Sequence, residues 1–409
     1  MMPLPSLADA LWLNEPGLRR VFAAIASAGG EARVAGGAVR NALLGEAVAD
    51  IDVATTLLPD QIMKAGKKAG LGVHPTGIDH GTVTLTCDGI PYEVTALRVD
   101  AETFGRKARV AFTSDWEKDA RRRDFTVNAL YCDADGKIFD FVEGYRDILR
   151  KRIKFIDDPQ ARIKEDYLRI LRFFRFHARY GAGAPDSPGL AACMKLKTGL
   201  DHLSAERIHQ ELFKLLVAPR VVPTLRVMAT NDILRHVIPY KDQFSALARM
   251  TKIDSANDLA PDALCRIVLI AAEPEKLKVL LKLSNDEDKR ITGMAAATAL
   301  SPKLWEREQR VILYQTGVQG WLDSVRLAWA RSGAKPDDTD WNLMMKLPER
   351  GPIPTLPVNG RHLMNLGVPA GPELGEMLRC IEDWWIAADF KPDKKELLAK
   401  FAGPKGGET

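Results

Sequence analysis

The sequence predicts an α+β protein, with a small mixed sheet in roughly the first 155 residues and helices alone after it. Three observations carry this reading. Residues 17 to 155 interleave helical periodicity with short alternating or β-branched runs, and from Gln160 onward the strand signals nearly vanish. The chain has 409 residues, 46% hydrophobic and 27% charged, an ordinary globular composition with length for about two to three domains at ~150 residues each.

Taken in order, Leu18 to Ala28 reads as a helix that leads through Gly29-Gly30 into a strand, Glu31 to Ala35. Gly36-Gly37 follows, then a helix from Val39 to Leu44 that stops at Gly45. Asp50 to Thr55, with Ile51, Val53 and Thr55, reads as a strand. Thr82 to Cys87 and Tyr92 to Leu97 form a strand pair across Asp88-Gly89-Ile90-Pro91, which has hairpin turn chemistry. Lys137 to Phe141 is a further strand. Arg162 to Tyr180, Ser204 to Leu216, Pro261 to Ala272 and Pro274 to Leu283 suit helices. The change from mixed to helical places a boundary near residue 155. Further breaks are expected near Pro219 and in Leu347 to Pro357, where four prolines discourage regular structure.

No run approaches the ~18 to 20 apolar residues of a membrane span. The N-terminal stretch has no basic residue before Arg19 and a broken apolar run, unlike a secretory signal, so a cytoplasmic protein is expected. Five scattered cysteines without a C-x-x-C pair argue against a disulfide framework or structural zinc. The net charge of +4 is small, but Arg150 to Arg179 holds ten Lys or Arg against four acids. That is either a phosphate-facing surface or a solvated helix face.

Five groups of residues carry chemistry. Gly36-Gly37-Ala38-Val39-Arg40 puts paired glycines at a strand-to-helix junction, where backbone N–H groups can approach a phosphate beside a cation. Asp50 and Asp52, two apart on a strand, point to one face and repel unless a cation lies between them, which suits Mg²⁺. Glu93, on a strand that could lie beside them, is either an exposed glutamate or a third acid for a second metal or for deprotonating a hydroxyl. Arg121-Arg122-Arg123 runs into an apolar segment, where arginine needs an anionic partner, and Asp124 and Asn128, four apart on a helix, could contact ribose hydroxyls. In Glu165 to Arg175, Asp166, Arg169, Arg172 and Arg175 wind along one side of a helix while Tyr167, Ile170, Leu171 and Phe174 cover another.

Together these blocks resemble the class II CCA-adding tRNA nucleotidyltransferase and bacterial poly(A) polymerase family, within the DNA polymerase β-like superfamily. The glycine turn with its D-x-D, Tyr92 to Arg98, Arg121 to Leu130 and Glu165 to Phe176 agree in order, and Pro357 to Gly375 looks like a C-terminal segment of CCA-adding members. The resemblance implies a palm-like head at 1–155, a helical neck with base recognition at 156–220, a helical body at 221–345 and a tRNA-binding tail at 346–409. It implies that Asp50 and Asp52 hold catalytic metals, that Gly36, Gly37, Arg40 and Arg123 contact phosphates, and that Asp124, Asn128, Asp166, Arg169, Arg172 and Arg175 line the nucleotide pocket. Asn41 departs from the family's aspartate and puts a salt bridge there in doubt.

The expected activity is template-independent addition of C, C and A to a tRNA 3′ end from CTP and ATP, with Mg²⁺ and release of pyrophosphate. Cytosine and adenine each present an amine donor beside a ring-nitrogen acceptor, whereas guanine and uracil present the reverse. Asp166 only accepts and Arg169 only donates when ionised, so the pair matches C and A. The alternatives are a poly(A) polymerase extending RNA and a catalytically silent RNA-binding module. Partial addition, of C or of A alone, is a further reading, with the stretch Arg98 to Lys118 as a candidate for control of the switch between nucleotides. Lys391, Lys394 and Lys395 are candidate RNA contacts, and Trp384 and Trp385 read as packing residues. Neither a membrane nor an obligate protein partner is expected, and the scattered histidines indicate no phosphohydrolase domain.

Overall fold

The structure is a computed structural model that describes residues 3–100, 110–296 and 300–401. Within the stretch Arg98 to Lys118, residues 101–109 therefore lie outside the described residues. The chain divides into two compact units, Met1–Pro239 and Tyr240–Thr409.

The first unit opens with α1 (Pro16–Ser27), β1 (Ala32–Ala35), α2 (Gly37–Leu43), β2 (Asp52–Thr55) and α3 (Pro59–Lys68). β3 (Gly72–Gly77), β4 (Thr82–Cys87), β5 (Ile90–Ala96), β6 (Arg98–Asp100) and β7 (Val110–Phe112) follow. Next come α4 (Trp116–Arg121), β8 (Leu130–Cys132), β9 (Ile138–Asp140) and α5 (Gly144–Leu149). Seven strands form one sheet in the order β3-β4-β5-β2-β1-β8-β9, with β2 and β5 parallel and the other neighbours antiparallel. The β4–β5 turn is tighter than the expected four residues. Asp88 and Gly89 both take positive φ, and Ile90 already pairs with Cys87.

Alternation along β5 decides what each face of the sheet does. Tyr92, Val94 and Ala96 are buried while Glu93 is exposed. Tyr92 packs its hydroxyl end against Gly17 of α1, where any side chain would collide with it. On the other face Ala54 joins Ala35, Leu97, Trp116, Ala120, Ala129, Tyr131 and Ile156 in a core cluster.

After the sheet the unit is helical: α6 (Pro159–Glu165), α7 (Leu168–Tyr180), α8 (Ser187–Leu196), α9 (Ala205–Leu216) and α10 (Val221–Thr230). The helix expected over Arg162 to Tyr180 is broken. Asp166 is extended (φ −157°, ψ 107°) and ends α6, and its Oδ1 accepts from the Leu168 N–H at 3.1 Å across the break before α7. Asp166 therefore sits at a junction, and only the arginines wind along α7.

The second unit contains α11 (Phe244–Ala256), α12 (Ala263–Ile270), α13 (Leu277–Leu281), α14 (Asn285–Ala296) and α15 (Glu306–Ser332). It continues with α16 (Thr339–Met345), α17 (Gly360–Met364), α18 (Pro372–Ala387) and α19 (Lys394–Phe401). The helix expected from Pro274 to Leu283 begins as a 3₁₀ turn, and α15 is kinked at Gly317, whose φ of 71° suits glycine. In the terminal segment Val358, Leu363, Ile381, Trp385 and Leu397 form a small core, and Trp384 packs against Phe401 under the Lys400 ammonium. No helix among the described residues is long and apolar enough to cross a membrane.

Candidate active site

A cleft of about 760 Å³ opens in the first unit, lined by seven arginines and four aspartates. One edge is Gly36, whose φ of 69° and ψ of −110° lie outside the range that side-chain-bearing residues favour. A Cβ there would also crowd the Asn128 carbonyl oxygen and the Arg123 guanidinium, so only glycine brings the backbone this close.

The acidic end is built by β2 and β5. Their parallel register sets Asp52 opposite Glu93. The strand expected from Asp50 begins only at Asp52, and Asp50 lies in the segment just before the paired register. All three acids are exposed. Partial burial, then Glu93, then Asp50 push the Asp52 carboxyl up, while Arg123 offsets part of the rise. Among the described residues none of these three carboxylates forms a salt bridge. Asp50 and Asp52 line the cleft and Glu93 does not, so the two aspartates are the hard oxygen donors there that fit a hard divalent cation.

The Arg121–Arg123 run resolves into three fates. Arg121 pairs at the surface with Glu117 and Asp157. Arg122 and Arg123 both reach Asp119, at 2.7 and 3.1 Å, and the Asp119 carboxylate also accepts from the Tyr131 hydroxyl at 2.7 Å. Burial works against charge on both sides here, but Arg123, Arg122 and Tyr131 together hold the Asp119 carboxyl low, and Tyr131 and Asp119 hold Arg123 charged. Asp124 and Asn128 are not on an α-helix as expected; residues 126–128 form a 3₁₀ turn. The turn still brings them together, with Asn128 Nδ2 donating to Asp124 Oδ1 at 3.0 Å. Burial would raise the Asp124 carboxyl, but Arg172 at 2.6 Å, Asn128 and the Phe125 N–H bring it down.

The opposite wall is α7 and the junction before it. Leu168, Ile170, Leu171, Phe173, Phe174 and Phe176 are buried, which turns Arg169, Arg172 and Arg175 toward the cleft. Arg169 pairs with Glu165 at 2.5 Å, and Arg175 with Glu211 at 2.6 Å. Asp166 Oδ2 accepts from Arg207 at 2.7 Å. Arg207, Glu211, Asp119 and Tyr180 escaped sequence reasoning. Arg207, Glu211 and Tyr180 meet partners 41, 36 and 140 positions away along the chain, whereas Asp119 lies three and four residues before Arg122 and Arg123, an i,i+3 and i,i+4 spacing that could have found it.

Elsewhere, Asp262, Cys265 and Asp323 bring ligand-type atoms within 4.8 Å of one another. Arg290 already bonds both carboxylates, at 2.6 and 2.5 Å, and burial pushes the Cys265 thiol up, so this group is an ion-pair hub of the helical unit.

Comparison with known proteins agrees with this geometry. Residues 32–154 match the poly(A) polymerase head domain family, 189–244 the RNA and SrmB-binding site of polymerase A, and 263–402 the tRNA nucleotidyltransferase domain 2 family. The chain is 31% identical to CCA tRNA nucleotidyltransferase 1, mitochondrial, of Homo sapiens, over 90% of this chain and 86% of that protein. It is 31% identical to the CCA-adding enzyme of Latilactobacillus sakei, over 97% of this chain and 98% of the relative. The crystal structure of the Bacillus stearothermophilus CCA-adding enzyme in complex with CTP superposes with a TM-score of 0.73 at 27% identity, covering 93% and 95% of the two chains. Family and acidic site together suggest a divalent metal ion. The chain belongs to the CCA-adding tRNA nucleotidyltransferase family, enzymes that build on a poly(A) polymerase head.

Proposed function

We propose that the cleft of the first unit is where the chain adds C, C and A to the 3′ end of tRNA from CTP and ATP. The observation that carries this reading is the division of one cleft into an acidic end without ion pairs, at Asp50 and Asp52 with Glu93 on the strand beside Asp52, and an arginine-rich wall that ends in Asp166 and Arg169.

Asp50 and Asp52 would hold the metal, Mg²⁺ in this reading, with Glu93 beside them as a third acid. Bound there, Mg²⁺ would favour the ionised form of the attacking 3′ hydroxyl and offset the charge that develops on the phosphates. The Gly36-Gly37 backbone, Arg40 and Arg123 would receive the triphosphate. Asp119 keeps Arg123 charged and aimed, so alignment of the α-phosphate depends on a residue outside the cleft lining. Asp124 and Asn128, already bonded to each other, would face the ribose hydroxyls, with Arg172 and Arg175 beside them.

Base choice would rest on Asp166 and Arg169. Arg207 and Glu165 hold them in place, so the pair presents a fixed acceptor and a fixed donor. A base with the reversed pattern would leave buried polar groups unpaired, a penalty that discriminates by orders of magnitude. The helical neck, body and tail would hold RNA mainly through phosphates, with a salt-sensitive affinity, and the reaction would take place in the cytoplasm.

Incubating the protein with tRNA lacking its 3′ end and each nucleotide in turn tests this. Uptake of CTP before ATP supports CCA addition. Extension of general RNA by ATP alone would replace it with poly(A) synthesis, and no incorporation with a divalent metal present would leave an RNA-binding module.

A further inference from the structure

Arg40 differs from the other arginines of the cleft in the company it keeps. Arg122 and Arg123 share Asp119, Arg172 has Asp124 and Glu211, and Arg175 has Glu211. Arg169 has Glu165, and Arg207 has Asp166. Arg40 is buried at 7% exposure, yet each of its hydrogen-bond partners is neutral. Asn41 Oδ1 accepts from its Nε at 3.2 Å and its Nη2 at 2.8 Å, the Tyr180 hydroxyl accepts from Nη2 at 2.9 Å, and the Asn128 side-chain oxygen accepts from Nη1. The rings of Tyr180 and Phe176 lie 4.2 and 5.2 Å from the guanidinium carbon. Among the described residues no carboxylate lies within salt-bridge distance of it.

The arrangement satisfies the fork of N–H groups without cancelling the charge. Burial accordingly makes the charged form harder to hold, and Arg175 adds repulsion. Asp124 offsets part of this from beyond salt-bridge distance, but its carboxylate is engaged by Arg172. A cation fixed in place by neutral groups keeps its field for an anion that arrives later.

We propose that Asn41, with Tyr180, is a positioning residue that leaves Arg40 uncompensated, so that the charge of residue 41 sets how strongly the cleft holds a nucleoside triphosphate. The inference rests on the reading that the triphosphate enters this cleft. An aspartate at position 41 would have the same shape and would keep both hydrogen bonds to Arg40, but it would lose the one that Asn41 Nδ2 donates to the Ala47 carbonyl at 3.2 Å. It would also place a negative charge where the phosphates are to bind.

Titration calorimetry with CTP and CMP in Mg²⁺, together with melting temperatures, tests this on the full chain. Asn41→Asp should weaken CTP by about tenfold and CMP by distinctly less, since fewer phosphate charges are repelled, while Tm falls less than in Asn41→Ala, because the ion pair completed with Arg40 offsets the lost bond to Ala47. Asn41→Ala removes the acceptor but not the charge, so it should lower Tm and leave CTP affinity within about threefold. A purely structural Asn41 predicts instead that affinity and Tm fall together. The inference is overturned if Asn41→Asp leaves CTP affinity within about twofold of wild type, lowers Tm as much as Asn41→Ala does, or weakens CTP no more than Asn41→Ala does. Arg40→Gln separates the two levels. If it weakens CTP while Asn41→Asp does not, this inference alone fails; if it too leaves CTP unchanged, the phosphate role of Arg40 fails with it.

Discussion

Asp119 is the buried hub on which Arg123 depends, and replacing it with asparagine tests how the site is held. The carboxylate is 1% exposed and accepts from Arg122, Arg123, the Tyr131 hydroxyl and, at 3.2 Å, the Arg98 N–H. Removing one member of a buried pair costs about 3 to 5 kcal/mol, because the partner charge is left without compensation. Asparagine keeps one acceptor oxygen, and both guanidiniums reach some solvent, which puts the expected loss near the lower end, about 3 kcal/mol. For a unit of this size about 2 to 4 °C of Tm goes with each kcal/mol, so Asp119→Asn should lower its melting temperature by about 6 to 12 °C. Urea unfolding followed by hydrogen exchange of peptides from Trp116 to Cys132 reads the effect at its source. The pH dependence has a definite sign. Because the folded carboxyl sits below its ordinary value, its contribution is complete above the unfolded value of about 4 and is lost as pH falls through the lower folded value, so wild type and variant should converge in acid. A loss under about 1 kcal/mol at neutral pH would refute the reasoning, since that is the scale of an exposed pair.

Three further outcomes are expected. Asp50→Ala or Asp52→Ala should abolish nucleotide addition with Tm unchanged or slightly higher, because exposed carboxylates that repel one another do not support the fold; residual addition at full rate would remove them from the metal site. Asp166→Ala or Arg169→Ala should admit G and U, read by sequencing the extended RNA, while metal dependence stays as in wild type. His177 is buried and its pKa is pushed down to about 4, so the unfolded chain binds the extra proton between about pH 6.5 and 4, and stability falls across that window by up to roughly 3 kcal/mol. His177→Gln should flatten that slope, and an unchanged slope would assign it to other groups.

What the sequence made legible was local. The turn at Gly36-Gly37, the alternation around Glu93 and the arginine spacing on α7 each follow from a few neighbouring residues, and they point to the right cleft. The break at Asp166 was hidden because its periodicity runs on from both sides, and only a side chain bonding back to Leu168 shows that the helix stops. The start of β2 was misplaced for a related reason. Asp50 and Ile51 have strand-like neighbours, but strand assignment needs a partner, and pairing begins at Asp52. β3 escaped because Gly72, His74, Pro75 and Gly77 resist a strand reading, and tertiary pairing with β4 overrides them. Tyr180, Arg207 and Glu211 act through contacts distant along the chain, which no local pattern records, whereas Asp119 lies three and four residues before Arg122 and Arg123, a spacing a helix reading could have paired.

The central claim is that a carboxylate and a guanidinium read the incoming base while neighbouring aspartates receive the metal. A crystal grown with magnesium and CTP tests it most directly. The cytosine edge should be hydrogen-bonded to Asp166 and Arg169, with density for a metal ion at Asp50 and Asp52 and the phosphates against Arg40 and Arg123. Cytosine bound away from Asp166 and Arg169, or aspartates without a metal beside a bound triphosphate, would contradict it.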